Sequence, residues 1–161
     1  MTSEHVVLKE VAPLRVAELT ATAASYGPED IGAAIQPLYP ELRRRLAAAG
    51  VTPAGGPPIA YYEDPARPSD ELIVHAGIPV TVGPGSGYDF AVVDLPAISP
   101  AATIIHRGTM DDVRHSLWNL AGWIADHGYY PIGDHREVYL DYDPDQPRQG
   151  VTELQVGVSL P

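Results

Sequence analysis

Two short segments near the C-terminus hold the residues best suited to chemistry. Side chains alternate along a strand. In Glu137–Tyr142, Val138, Leu140 and Tyr142 therefore share one face, and Glu137, Tyr139 and Asp141 share the other. In Val151–Val158, Thr152, Leu154, Val156 and Val158 form an apolar face, with Glu153, Gln155 and Gly157 opposite. If the apolar faces pack beneath helices, the other face gathers Glu137, Tyr139, Glu153 and Gln155. A carboxylate among aromatic faces is a receptor for cations. Its burial is costly unless a partner charge offsets it, and each ring face adds about 0.5–2 kcal/mol of cation–π attraction. The same two carboxylates, Glu137 and Glu153, could instead orient and deprotonate a water, because burial in apolar surroundings raises a carboxyl pKa. A third reading is the solvated polar side of a half-exposed antiparallel sheet.

Other candidates are fewer. Trp118 lies off the apolar stripe of its helix and Trp123 flanks it, so each needs a loop, the sheet, a second subunit or a ligand to cover it. Both are carried as ligand-binding candidates. His106 and His115 have no second ligand at a familiar metal spacing. The chain has no cysteine, which removes disulfides, thiolate catalysis and zinc–thiolate sites. No metal and no cofactor are expected. Gly83-Pro84-Gly85-Ser86-Gly87 lacks the Lys-Ser/Thr and the following helix of a phosphate loop. Arg43-Arg44-Arg45 reads as a solvated helix face, and no Gly-x-Ser-x-Gly elbow occurs.

The elements that position these residues follow from periodicity and punctuation. Val6–Leu8 and Arg15–Thr22 read as strands. Ile31, Ile35, Leu38, Leu42 and Leu46 mark a helix over Glu29–Ala49, with Gly50 as its stop and a kink or late start expected at Pro37 and Pro40. Ile59–Asp64 and Glu71–Val82 read as strands joined by a turn at Asp64–Pro68. Tyr88–Leu95 and Ala102–His106 follow as strands. A second helix is expected from a Thr109 cap, with Asp112 completing a capping box, to about His127, with Gly128 as its stop. Glu137–Tyr142 and Val151–Leu160 close the chain around Asp143-Pro144. The spacing from Gly50 to Tyr61 equals that from Gly128 to Tyr139, and Glu71-Leu72 answers Glu153-Leu154. The pattern predicts an α+β fold of duplicated units, each reading strand, strand, helix, Gly, strand, Asp-Pro turn, strand, in halves of about 1–82 and 88–161. The units form one curved antiparallel sheet with two helices on one face. Chance similarity of two α+β halves is the competing account. The residue matching Glu137 in the first half is Ile59, so the scaffold does not require a carboxylate there.

At 161 residues the chain is expected to be a single domain with a real core. Its net charge of −11 disfavours nucleic acid and anionic membrane surfaces as partners. No apolar run is long enough for a membrane span and no secretory signal is evident, so a cytoplasmic protein is expected. The aromatics are mostly Tyr: nine, against two Trp and one Phe.

These segments resemble the GyrI-like small-molecule-binding family, also called the AraC-type effector-binding or multidrug-binding domain. The matching stretches are Val11-Ala12-Pro13-Leu14-Arg15-Val16-Ala17, Leu95-Pro96-Ala97 and Ile105-His106-Arg107-Gly108. They continue with Trp123-Ile124-Ala125-Asp126-His127-Gly128, Glu137-Val138-Tyr139, Asp143-Pro144 and Thr152-Glu153-Leu154-Gln155-Val156. The resemblance implies a fold of duplicated strand–helix–strand–strand units forming one curved sheet with two helices, which agrees with the duplication above. It also implies a cavity for planar, lipophilic, often cationic compounds, with Glu137 as the counter-charge and Tyr139 beside it. Gln155 stands where the family often has an aromatic, and Gly108-Thr109-Met110 replaces its usual Gly-Pro-Tyr. Many members are fused to a DNA-binding segment. Here the first strand begins at Val6, so a stand-alone binding domain is expected. Some stand-alone relatives hydrolyse cyclopropane-bearing electrophilic genotoxins, which makes Glu137 and Glu153 candidate catalytic residues. Gyrase-inhibiting relatives suggest a protein-inhibitor role through the acidic surface.

Overall fold

The computed structural model describes residues 5–63, 71–85 and 87–160. The strands are β1 (Val7–Val11), β2 (Leu14–Ala23), β3 (Ile59–Glu63), β4 (Leu72–Pro79), β5 (Ala91–Leu95), β6 (Ile98–Arg107), β7 (Tyr130–Asp141) and β8 (Val151–Ser159). The helices are α1 (Pro28–Ile35), α2 (Leu38–Ala48) and α3 (Val113–Asp126). The fold class is α+β with antiparallel pairing, as expected. The turn expected at Asp64–Pro68 lies outside the described residues.

The chain divides into two compact units, Pro13–Pro96 and Met1–Ala12 with Ala97–Pro161. These differ from the repeat halves of 1–82 and 88–161, because β1 joins the later unit and β5 the earlier one. In each unit the chain runs strand, helix, strand, strand, with one further strand paired to the first.

In the unit Pro13–Pro96, β2 pairs with both β4 and β5, and β3 pairs with β4. Ala17 lies across from Ile78, and both pack with Leu42, Leu46, Val51, Val80 and Phe90 under the helices. The expected single helix is broken in two: α1 ends at Ile35, and α2 starts at Leu38 just after Pro37, which cannot donate the backbone bond a continuous helix needs. Pro40 is tolerated because it falls in the first turn of α2. Arg44 and Arg45 both reach back to Glu41, whose carboxyl their hydrogen bonds hold down at about 2.

In the other unit, β6 pairs with β1 and β8, and β8 pairs with β7. Ala102, Ile104, Leu154 and Val158 form a core with Val113, Leu120 and Ile124 of α3. The Thr109–Asp112 capping box does not form. Thr109 is extended with no side-chain cap bond, and a 3-10 turn over Met110–Asp112 leads into α3 at Val113. The strand β7 begins at Tyr130, well before the expected Glu137, because it runs on through Gly133 (φ +70°), where an irregularity absorbs the break. Gly50 and Gly128 both adopt φ near +70° after their helices. The next residue's N–H then closes on a helix carbonyl, Val51 to Leu46 at 2.9 Å and Tyr129 to Ile124 at 3.0 Å. The two units thus end their helices with the same motif.

Candidate functional site

Paired residues of antiparallel strands share a face. Leu154 of β8 lies across from Ile104 on one side and from Glu137 of β7 on the other. Since Leu154 and Ile104 pack against α3, Glu137 lies on the α3 side of its sheet. Val138 instead pairs with Glu153, and Arg136 with Gln155. The four polar residues expected together therefore form two pairs on opposite faces. The register moves between Tyr139, paired with Thr152, and Asp141, paired with Val151. This inserts one residue, so counting alternation straight through Glu137–Tyr142 assigns the faces wrongly. Leu140 and Tyr142, expected in the core, are exposed.

On the α3 side an open cleft of about 630 Å³ runs between α3 and β7. Leu117, Leu120 and Ile124 form its helix wall, and Tyr129, Tyr130 and His135 its strand wall. Ala121, Ala125, Gly128 and Gly133 also border it, and their small size leaves the space unfilled. Glu137 sits behind this lining, 4% exposed. One of its oxygens, Oε2, is 2.9 Å from Nε2 of His135, and the other accepts the Tyr139 hydroxyl at 2.9 Å. The sequence reading missed His135, which lies two residues before Glu137, on the same face of the strand.

Glu153 and Gln155 hydrogen bond to each other at 2.7 Å on the opposite face, and Lys9 of β1 pairs with Glu153 at 2.7 Å. Trp118 is 80% exposed on α3 and is not part of the cleft wall. Trp123 stacks on His127 and on Tyr129, with ring centroids 4.0 and 5.8 Å apart, and so supports the cleft from behind Tyr129. His106 is a core residue: its Nε2–H donates to the Thr109 carbonyl, and Nδ1 accepts from Ser116, each at 2.7 Å. Among the described residues no group of three or more His, Cys, Asp or Glu could hold a metal ion.

A second titratable cluster lies in the unit Pro13–Pro96, on the face away from Ala17 and Ile78. His75, 6% exposed, is held between Glu18 Oε1 at 3.0 Å and Glu63 Oε1 at 2.7 Å. Tyr61 donates to the other Glu18 oxygen and stacks on His75 with centroids 4.2 Å apart. Burial opposes the imidazolium, yet the hydrogen bonds and charges of Glu18 and Glu63 outweigh it and raise the His75 pKa. The sequence did carry a signal for this cluster. His75 is a lone polar residue inside the otherwise apolar run of β4.

No model of a known protein family matches the sequence, and no curated protein does. Solved structures do. The C-terminal domain of EcmrR aligns over 98% of this chain and 99% of its own, with a TM-score of 0.79 and 22% identity. The chain spans 59% of the EcmrR chain in its DNA complex. A hydrolase from Listeria innocua encoded by lin2189 aligns over 98% and 93%, with a TM-score of 0.62 and 16% identity. SAV2435, solved bound to tetraphenylphosphonium, aligns over 96% and 94%, with a TM-score of 0.67 and 12% identity. The chain therefore has the fold of the EcmrR C-terminal domain.

Proposed function

We propose that the chain is a small-molecule-binding domain that takes planar, lipophilic, often cationic compounds into the cleft between α3 and β7. The observation that carries this reading is the buried Glu137 carboxylate directly behind an apolar, Tyr-walled cleft. Apolar area supplies most of the affinity at about 25 cal/mol per Å². The carboxylate selects charge, and Tyr129 and Tyr130 offer ring faces. None of these forces demands one ligand shape, so breadth of binding follows. The net charge of −11 draws cations toward the protein, an effect that salt screens. SAV2435, of like fold, was solved with the lipophilic cation tetraphenylphosphonium. The test is a fluorescence titration of a planar cationic dye against wild type and Glu137→Gln. A charged hydrogen-bond partner contributes about 1.5–3 kcal/mol, so the variant binds roughly ten- to hundredfold more weakly. Equal affinities overturn the assignment.

The Glu137–His135 hydrogen bond supports a second reading, hydrolysis of strained-ring electrophiles. A carboxylate-oriented imidazole at an apolar cleft is suited to take a proton from water. The water oxygen would bond to a cyclopropane carbon as the ring C–C bond breaks. The released electron pair passes to the conjugated acceptor, which then takes the proton. Incubation with a cyclopropane-bearing alkylator, read by mass spectrometry for a product heavier by one water, tests it. Absence of enzyme-dependent product removes this reading. Glu153, ion-paired to Lys9 on the other face of the sheet, has no role in it.

A further inference from the structure

We infer that the outward side of α3 docks a second copy of this chain, helix against antiparallel helix, with each Trp118 seated on Gly122 of the other copy. This goes beyond the binding reading above and does not rest on it. Trp118 is 80% exposed, more than any other large apolar side chain among the described residues. Gly122 is an independent observation. It lies inside the 14-residue helix α3, where glycine is the poorest helix former after proline. Its own chain does not require it. Its φ is not positive, and a Cβ there would meet no atom within 4 Å. A glycine that internal packing does not need fits a close approach from outside.

At about 100° per residue, Arg114, Trp118, Ala121, Gly122 and Ala125 share one side of α3, and all five are exposed. Steps of 4, 3 and 4 residues through 114, 118, 121 and 125 are those of a seam between two packed helices. The large ring therefore stands next to a hollow on its own helix, which is the shape that a two-fold axis brings together.

Charge selects the second copy and sets its direction. Arg114 lies near the start of α3 and Asp126 at its end, both exposed. A two-fold axis at the level of Leu120 puts Arg114 level with Asp126 of the second copy, since each lies six residues, about 9 Å, from it. The same axis puts Trp118 level with Gly122 of the second copy, since each lies two residues from it. One register thus meets both requirements. A parallel arrangement would set Trp118 on Trp118 and Arg114 on Arg114. Asp111 and Asp112, in the 3-10 turn before α3, fall beyond Asp126 of the second copy, level with its uncharged Tyr129 and Gly128. Ala121 and Ala125 also border the cleft, so each Trp118 stands at the rim of the other copy's cleft.

The test is sedimentation velocity of the full chain from about 1 to 500 μM, with each variant checked for fold by circular dichroism. The wild type should pass from monomer to dimer within that range, because one helix face makes a small interface. Trp118→Ala should weaken dimerisation at least about tenfold, since tryptophan anchors dominate interfaces. Gly122→Gln should weaken it as much, yet raise the thermal midpoint measured at the lowest concentration, because glutamine is the better helix former. Arg114→Glu and Asp126→Arg should each weaken the dimer, and the double variant should restore it to within about threefold of wild type. A wild type that stays monomeric, or a dimer indifferent to Trp118→Ala or to Gly122→Gln, overturns the inference. So does a lowered midpoint in Gly122→Gln, or charge reversals that have no effect or that the double variant does not rescue. Each of these leaves Glu137-sensitive dye binding, and the reading built on it, where it stood.

Discussion

Glu137 faces Leu154, not Glu153, across the pairing of β7 and β8. That register puts the two carboxylates on opposite faces of the sheet. Glu137 is buried behind the cleft, whereas Glu153 is ion-paired with Lys9 on the opposite face. Glu137→Gln should therefore weaken binding of a planar cationic dye roughly ten- to hundredfold. Glu153→Gln should leave it within about twofold, because an ion pair with a half-exposed lysine is worth little. Parallel fluorescence titrations compare the two. Equal losses would mean that the ligand sits on the other face.

The cleft exists because its rim residues are small. Ala121 and Ala125 face it from α3 without filling it. Ala125→Phe would place a ring in that space. It should reduce dye affinity by at least about tenfold, since the ring displaces ligand contact area. Thermal stability should change little, because Ala125 is solvent-exposed and the added ring displaces only solvent in the cleft. Affinity unchanged in a folded Ala125→Phe protein would place the ligand elsewhere.

The fold was largely legible because its signals are local. Gly50 and Gly128 stop helices at matching places, Pro37 breaks the first helix, and apolar stripes such as Val113, Leu120 and Ile124 point to the core. Strand alternation put Glu137 and Tyr139 on one face, and the structure shows them hydrogen-bonded. Which face that is was not legible, because it depends on an inserted residue near Asp141 that only strand pairing reveals. The start of β7 at Tyr130, and with it His135, was not legible, because Pro131 and Gly133 are residue types that ordinarily interrupt a strand. Trp118 was expected to need cover from a loop, the sheet, a second subunit or a ligand, and at 80% exposed it is covered by neither a loop nor the sheet. The apolar stripe of a helix places such a residue off the core but does not say what covers it.

His106 ties β6 to α3. With Nε2–H donated to the Thr109 carbonyl, Nδ1 accepts from the buried Ser116 hydroxyl at 2.7 Å. His106→Leu keeps the bulk but strands both the hydroxyl and the carbonyl. Each unsatisfied buried group costs about 1–3 kcal/mol, so the midpoint of urea unfolding should fall markedly. The double variant His106→Leu with Ser116→Ala should recover part of the loss, because it removes the orphaned hydroxyl. No recovery would show that the pair does not act as a unit.

His75 makes stability depend on pH in a defined direction. Both ring nitrogens face carboxylates, Glu18 and Glu63, so the folded protein favours the imidazolium and raises its pKa above the unfolded value. A group of this kind contributes fully below the unfolded pKa of about 6.5, and its contribution is lost as pH rises through the folded pKa. Urea unfolding free energy should thus decline from about pH 6 toward alkaline pH, with the neutral ring able to donate to only one carboxylate. His75→Gln should be less stable at about pH 6 and should lack this decline, so the two curves converge as the wild-type imidazolium is lost. His75→Ala removes the imidazole partner of the buried Glu18, which keeps the Tyr61 hydroxyl, and should cost about 1–3 kcal/mol near neutral pH. Parallel wild-type and His75→Gln curves over the alkaline range would show that the His75 charge does not contribute to holding this sheet together.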